Sequence, residues 1–258
     1  MHHVQFTPGL DVAQLVFYAF VIFFIGLIFY LRREDRREGY PVEDDLTGRI
    51  AERGGPLSRA PQKTFQLPFG RGTVTTPTGG RDRFDLAARP VGNFPGAPLV
   101  PTGNPLADGI GPAGYAQRAA VPDLDMEGHP RIVPLSRDDK FVVVRNDPDL
   151  IGWTVIGADN RAAGTISDLW VDRADRLVRY LAVSLEGAGG TVLAPFAMAR
   201  VDRRHRRVIV DAITAAQFAG APVPKDDGVI TFLEEEKVIG YFGGGYLYAT
   251  PERAEPLI

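Results

Sequence analysis

Four titratable side chains alternate over a short stretch: Asp123, Asp125, Glu127 and His129, spaced by Leu124, Met126 and Gly128. Alternate residues of an extended chain share a face, so all four can line up. Clustered carboxylates repel one another and are pushed upward, and histidine titrates near neutrality unaided. Such a row therefore suits the uptake and relay of protons. A second acidic set, Asp168, Asp172 and Asp175, flanks Trp170; Asp168 and Asp172 share strand parity and Asp175 falls in a turn. The plain alternative for each of these residues is solvated surface charge, the usual state of an acid on a polar domain.

Other chemistries find little support. There is no Cys, which excludes disulfides, thiolate metal sites and Cys nucleophiles. The four His are scattered: His2 and His3 at the start, His129, and His205 inside the polar turn Asp202 to Arg206. They offer neither metal-ligand spacing nor a Ser-His-Asp constellation, so no active site of the chain's own is expected. Gly70-Arg71-Gly72 and Gly243 to Gly245 lack the Lys-Ser/Thr ending of a phosphate loop. Trp170 reads as core. The formal net charge of −3 argues against bulk nucleic-acid binding. Arg far outnumbers Lys, which suits packing against proteins or lipid headgroups, and a high genomic GC content would give the same bias.

The elements that position these residues begin with an apolar run. Val12 to Leu31 carries no charge and gives ~30 Å of helix, the thickness of a bilayer's hydrocarbon core. Asp11 precedes it and Arg32-Arg33-Glu34-Asp35-Arg36-Arg37 follows, so the positive-inside rule predicts an outside N-terminus and the bulk of the chain in the cytoplasm. The flanks are the reverse of a cleaved signal peptide, and a retained anchor is expected. From about 34 to 120 Pro and Gly recur without helical periodicity, as at Gly54-Gly55-Pro56, Pro77-Thr78-Gly79-Gly80 and Pro101-Thr102-Gly103-Asn104-Pro105. The interspersed Phe65, Leu67, Phe69, Phe84 and Phe94 favour an extended arm laid over a partner rather than plain disorder. Within it, Thr64 to Leu67 and Thr73 to Thr75 read as a hairpin.

From about Ile132 the pattern turns to β. Strands are expected at Phe141 to Val144, Thr154 to Gly157, Ala163 to Asp172, Val178 to Leu185, Thr191 to Pro195, Ala197 to Val201 and Val208 to Val210. Short strands at this spacing suggest a small, partly closed barrel. Glu234-Glu235-Glu236 marks a helix N-terminus, and Gly243-Gly244-Gly245 is expected to end or bend that helix. The resulting fold class is a single N-terminal transmembrane helix, a long extended Pro/Gly-rich arm, a mainly β cytoplasmic domain and a short C-terminal helix. The divisions are 1–10, 11–32 (helix), 33–120 (arm), 121–225 (barrel) and 226–258 (C-terminal helix and tail).

Ordered strings along the chain resemble the H subunit of the photosynthetic reaction centre of purple bacteria. They are Arg32-Arg33-Glu34-Asp35-Arg36-Arg37-Glu38-Gly39-Tyr40-Pro41, Pro61-Gln62-Lys63-Thr64-Phe65 and Pro101-Thr102-Gly103-Asn104-Pro105-Leu106. Then come Gly111-Pro112-Ala113, Asp168-Leu169-Trp170-Val171-Asp172, and Gly243 through Arg253. The β part, about 140 to 220, is similar to the PRC-barrel domain.

The resemblance implies a non-catalytic subunit in the intracytoplasmic photosynthetic membrane, an extension of the bacterial inner membrane. It would cap the cytoplasmic face of the L and M subunits, with an antenna and lipids as further neighbours and no nucleic-acid partner. Bacteriochlorophyll, bacteriopheophytin, quinones and non-haem iron would be held by L and M. The subunit would stabilise the complex, shield the quinone sites and conduct protons to the secondary quinone. By motif match, proton transfer falls on His129, Asp172 and Asp175, and less directly on Asp125. Glu127 stands where the family often has a second His, and a carboxylate there has a lower intrinsic pKa. Asp123, Arg131, Arg179 and Glu235 would belong to the charged network leading inward. Two competing readings are a membrane-anchored PRC-barrel adaptor binding another protein or RNA, and a membrane-tethered hydrolase or sensor, for which no site residues are found.

Overall fold

The computed structural model describes residues 5–7, 10–40, 42–44, 46–50, 60–78, 86–187 and 189–254. His2, His3, Pro41, Gly54-Gly55-Pro56, Gly79-Gly80, Phe84 and residues 255–258 lie outside them. The chain divides into two units, the first holding the apolar helix and the second the β domain.

In the first unit a short antiparallel pair, β1 (Gln5–Thr7) and β2 (Leu10–Asp11), leads into α1 (Val12–Glu34). Asp11 caps the helix: its carboxylate accepts from the Gln14 amide at 2.8 Å, and Gln14 Oε1 accepts from the Asp11 amide at 3.4 Å. No residue of α1 is buried, and Phe17, Phe20, Ile22 and Phe23 lie open along it. A helix apolar on every side and left uncovered by the described residues belongs in lipid or against another protein. It is the one helix among the described residues long and apolar enough to cross a membrane.

Polar contacts secure the chain beyond α1. Glu34 accepts from Arg37 Nη2 at 2.9 Å and from Lys63 Nζ at 3.0 Å. Arg37 Nη1 donates to the carbonyls of Pro61 (2.9 Å) and Thr76 (2.6 Å). These bonds pin the expected hairpin, β3 (Lys63–Gln66) with β4 (Thr73–Thr76), to the C-terminal end of the helix.

In the second unit the Pro/Gly-rich stretch is not uniformly extended. β5 (Ala88–Pro90) pairs with β6 (Leu99–Pro101), and a short helix, α2 (Pro105–Asp108), is capped by Asn104. A 3₁₀ turn, Gly111–Ala113, completes the segment. Leu106, Ile110 and Ala113 are buried. The sheet comprises β7 (Ile132–Pro134), β8 (Thr154–Ile156), β9 (Ala162–Asp172), β10 (Leu177–Leu185), β11 (Thr191–Pro195), β12 (Arg200–Asp202) and β13 (Arg207–Ile209). Its order is β11-β10-β9-β8-β13-β12, with β7 on β9; only β13 and β8 run parallel. Bulges interrupt β9–β10 between Val178 and Tyr180 and between Ala182 and Val183, adding the twist that curls the sheet. Ile166, Leu181, Val183, Val208 and Val210 fill the inside, each side chain contributing about 1.5–3 kcal/mol by leaving water.

The last element, α3 (Phe232–Tyr248), starts on a capping box in which Thr231 and Glu234 satisfy each other's amides. Phe242 is fully buried and meets Phe218 edge-on at 5.5 Å.

Three expectations are corrected. Gly243 to Gly245 do not end α3, which runs on to Tyr248. Their neighbours explain why: a Cβ on Gly244 would strike Ala113, and one on Gly245 would strike the Ala212 carbonyl, so bare backbone is required for close packing. Ala197 to Val201 is mostly not strand. Pro195 has no N–H to continue the ladder, and a 3₁₀ turn, Phe196–Met198, intervenes before β12. Phe141 to Val144 forms no strand, because among the described residues no neighbour pairs with it.

Candidate functional site

The row Asp123 to His129 is a tight hairpin rather than extended chain. Leu124 bridges Pro130, the Gly128 amide donates to the Asp125 carbonyl at 3.1 Å, and Gly128 takes φ +87°, a conformation glycine adopts freely. Asp125 Oδ1 ties the turn by accepting from the amides of Glu127 (3.1 Å) and His129 (2.8 Å). The four side chains therefore do not share one face. Glu127 is exposed, and the His129 ring is exposed with Nδ1 3.6 Å from Asp125 Oδ2. The His129 amide, and then the ring's charge, hold the Asp125 carboxyl below the ordinary carboxylate value.

Asp123 instead turns toward Arg131, as the hairpin registers the Arg131 amide on the Asp123 carbonyl at 2.9 Å. Arg131 Nη1 reaches Asp123 Oδ2 at 3.1 Å. Its Nε and Nη2 grip Asp172 at 3.3 and 2.8 Å, and Nη2 lies 3.0 Å from Asp175 Oδ2. Strand β7 brings Arg131 here, since Ile132 pairs with Asp172 across the β7–β9 ladder. The Asp172 side chain is 2% exposed and also caps its own turn, accepting from the amides of Ala174 and Asp175. Partial burial pulls Arg131 down, but the Asp172 bond and the charges of Asp123 and Asp175 outweigh it and hold the guanidinium above its ordinary value. The three carboxylates converge on a guanidinium; no cluster of three or more His, Asp or Glu among the described residues is arranged to hold a metal ion.

Behind this cluster lies a second one. Glu235, in the first turn of α3, is 8% exposed. It accepts from the Tyr180 hydroxyl at 2.8 Å and lies 3.9 Å from Arg179 Nη2. Burial pushes its carboxyl above the ordinary value of 4.5; the Tyr180 bond and Arg179 pull the other way, while the charges of Asp123 and Asp172 push it further up. The Tyr180 phenol is raised too, by burial and by Glu235.

The two acidic sets regroup. Asp172 and Asp175 join Asp123, whereas Asp168 lies apart, accepting from the Ser136 hydroxyl and amide. Tyr180 was not singled out from sequence, and nothing in its neighbours along the chain links it to a glutamate 55 positions away. A further buried carboxylate, Asp138, pairs with Arg173; in sequence Asp138-Asp139-Lys140 reads as ordinary surface charge. His205 binds Asp202 through Nδ1 at 2.8 Å in an exposed turn. That bond, with Arg207, takes Asp202 down to about 2. Trp170 is core, 4% exposed.

Residues 143–217 match the PRC-barrel domain, which defines the class: a PRC-barrel protein that carries a single N-terminal apolar helix. Residues 4–137, more than half the chain, match the photosynthetic reaction centre H-chain N-terminal region. The chain belongs to the reaction-centre H-chain family. That family is a structural subunit, and membership implies a reaction-centre complex with L and M subunits.

Proposed function

We propose that the chain sits N-terminus outside in the photosynthetic membrane, caps the cytoplasmic side of L and M, and stabilises the complex. It shields the quinone sites from water and conducts protons toward the secondary quinone as light-driven electron transfer reduces it. The pigments, quinones and non-haem iron belong to L and M in this reading, the antenna and lipids are outer neighbours, and the chain has no active site of its own. The arginines in the last turn of α1, Arg32 and Arg33, support the orientation.

The observation that carries the proton reading is Glu235, a buried carboxyl that accepts from the Tyr180 hydroxyl and is held above its ordinary value by burial, with the charges of Asp123 and Asp172 pushing the same way. His129 on the exposed turn takes a proton from bulk water, with the Asp125 carboxylate 3.6 Å from its Nδ1. Asp123 and Asp175, half in solvent beside Arg131, pass it toward Asp172. Glu235 receives it because its neutral form is the one burial favours. Tyr180 and Arg179 keep that carboxyl from staying protonated.

Asp172→Asn with Asp175→Asn, or His129→Phe, should slow the second proton-coupled electron transfer to the quinone by about tenfold or more while primary charge separation proceeds. Wild-type proton uptake in the double variant would move the uptake point elsewhere. The complex that co-purifies with the tagged chain should show bacteriochlorophyll and bacteriopheophytin bands that bleach reversibly in light. A colourless preparation from cells making photosynthetic membranes would favour the adaptor reading instead.

A further inference from the structure

The segment Phe141 to Val144 combines four strong strand-formers, yet it joins no ladder. Among the described residues none of its amides donates to another backbone group; only the Val144 carbonyl is used, by the Asp147 amide. Val142 is 85% exposed and Val144 64%, an apolar display that isolated surface residues do not explain. The segment forms one wall of a groove of about 820 Å³ in the β domain. Leu135, Leu150, Val171, Val178, Met198 and Ile239 line the rest. The charged groups at the groove are three guanidiniums, Arg176, Arg179 and Arg203, against one carboxylate, Asp147. Asp147 lies 3.5 Å from Arg203, and Arg179 is shared with Glu235.

We infer that this groove receives an extended segment of another subunit of the complex, added as a strand beside Phe141–Val144, with apolar side chains facing the groove and carboxylates facing Arg176 and Arg203. The inference rests on the reading that the chain packs on partner subunits. Unpaired amides beside an apolar trough call for a backbone that supplies carbonyls, which a lipid tail does not. Alternation at period two puts every second residue into the trough and the others at its cationic rim. A second copy of this chain fits poorly, because an isologous contact would set guanidiniums against guanidiniums.

The test is hydrogen exchange at the amides of 141–144 in the full chain, compared between the tag-purified complex and the separated chain in detergent. Exchange should be about tenfold or more slower in the complex. Val142→Asp, and separately Arg176→Glu with Arg203→Glu, should abolish that slowing while the thermal transition of the separated chain stays in place. A pigmented complex whose 141–144 amides exchange as fast as in the separated chain overturns the inference and leaves the functional reading intact; absence of pigment overturns the functional reading. Slowing produced by phosphatidylglycerol vesicles alone would make the occupant a membrane surface. Slowing that grows with the concentration of the separated chain would make it a second copy. Either result overturns the inference.

Discussion

Glu235 is a carboxylate whose charged form burial disfavours, and this has a consequence for stability. Well below 4.5 it is protonated in folded and unfolded chains alike. As pH rises above that, the unfolded chain releases its proton first, so the folded state loses stability until its own raised value is passed. Glu235→Gln stays neutral throughout. Its urea midpoint in detergent should therefore fall less than wild type between pH 4.5 and pH 8. Neighbours tune the same group in opposite directions. Tyr180→Phe removes a donor to the charged form and should raise the Glu235 value, whereas Asp172→Asn removes a like charge and should lower it; the carboxyl infrared band followed against pH reads both. Arg131→Ala is the most damaging change at this scale. It strands Asp172, buried and bidentate, and should cost about 3 kcal/mol by urea unfolding.

At the scale of elements, α3 shows propensity yielding to packing. A glycine inside a helix costs ~1 kcal/mol relative to alanine, so Gly→Ala ought to stabilise wherever space allows. Gly243 has that space: a Cβ would meet only the Pro112 carbonyl at 3.6 Å. Gly243→Ala should raise the unfolding midpoint slightly. Gly244→Ala, one residue on, drives a methyl into Ala113 and should lower stability by about 1–3 kcal/mol. The opposite signs at adjacent positions separate backbone entropy from fit. The same packing anchors the end of the Pro/Gly-rich stretch, since Ala113 and Leu106 are buried in the domain's core.

For the whole molecule, that anchoring sets where the chain needs its partners. Limited proteolysis of the full chain in detergent should leave a fragment that starts before Pro105 and runs through α3, because Leu106, Ile110 and Ala113 are buried by the chain itself. Addition of L and M should extend protection back toward the 63–76 hairpin, whose Phe65, Phe69 and Val74 are exposed. Cleavage between Leu106 and Ala113 in the separated chain would count against the packing described.

Local rules wrote much of this protein into its sequence. An uncharged run of helix length with a capping Asp at one end and arginines at the other needs only hydropathy and hydrogen-bond accounting to be read as a membrane-crossing helix. The β9–β10 hairpin follows from alternation and the turn between Asp172 and Leu177. Candidate acids were legible as types but not as groups. Asp125 closes a turn, Asp168 goes to Ser136, and Asp123 meets Asp172 only because β7 lays Arg131 against β9. Strand-forming residues at 141–144 found no neighbour among the described residues, and of the helix-breaking residues at 243–245 Gly244 and Gly245 found ones that required them. Charge partners, burial and close approach depend on residues distant along the chain, and the tertiary structure alone decides which of them meet.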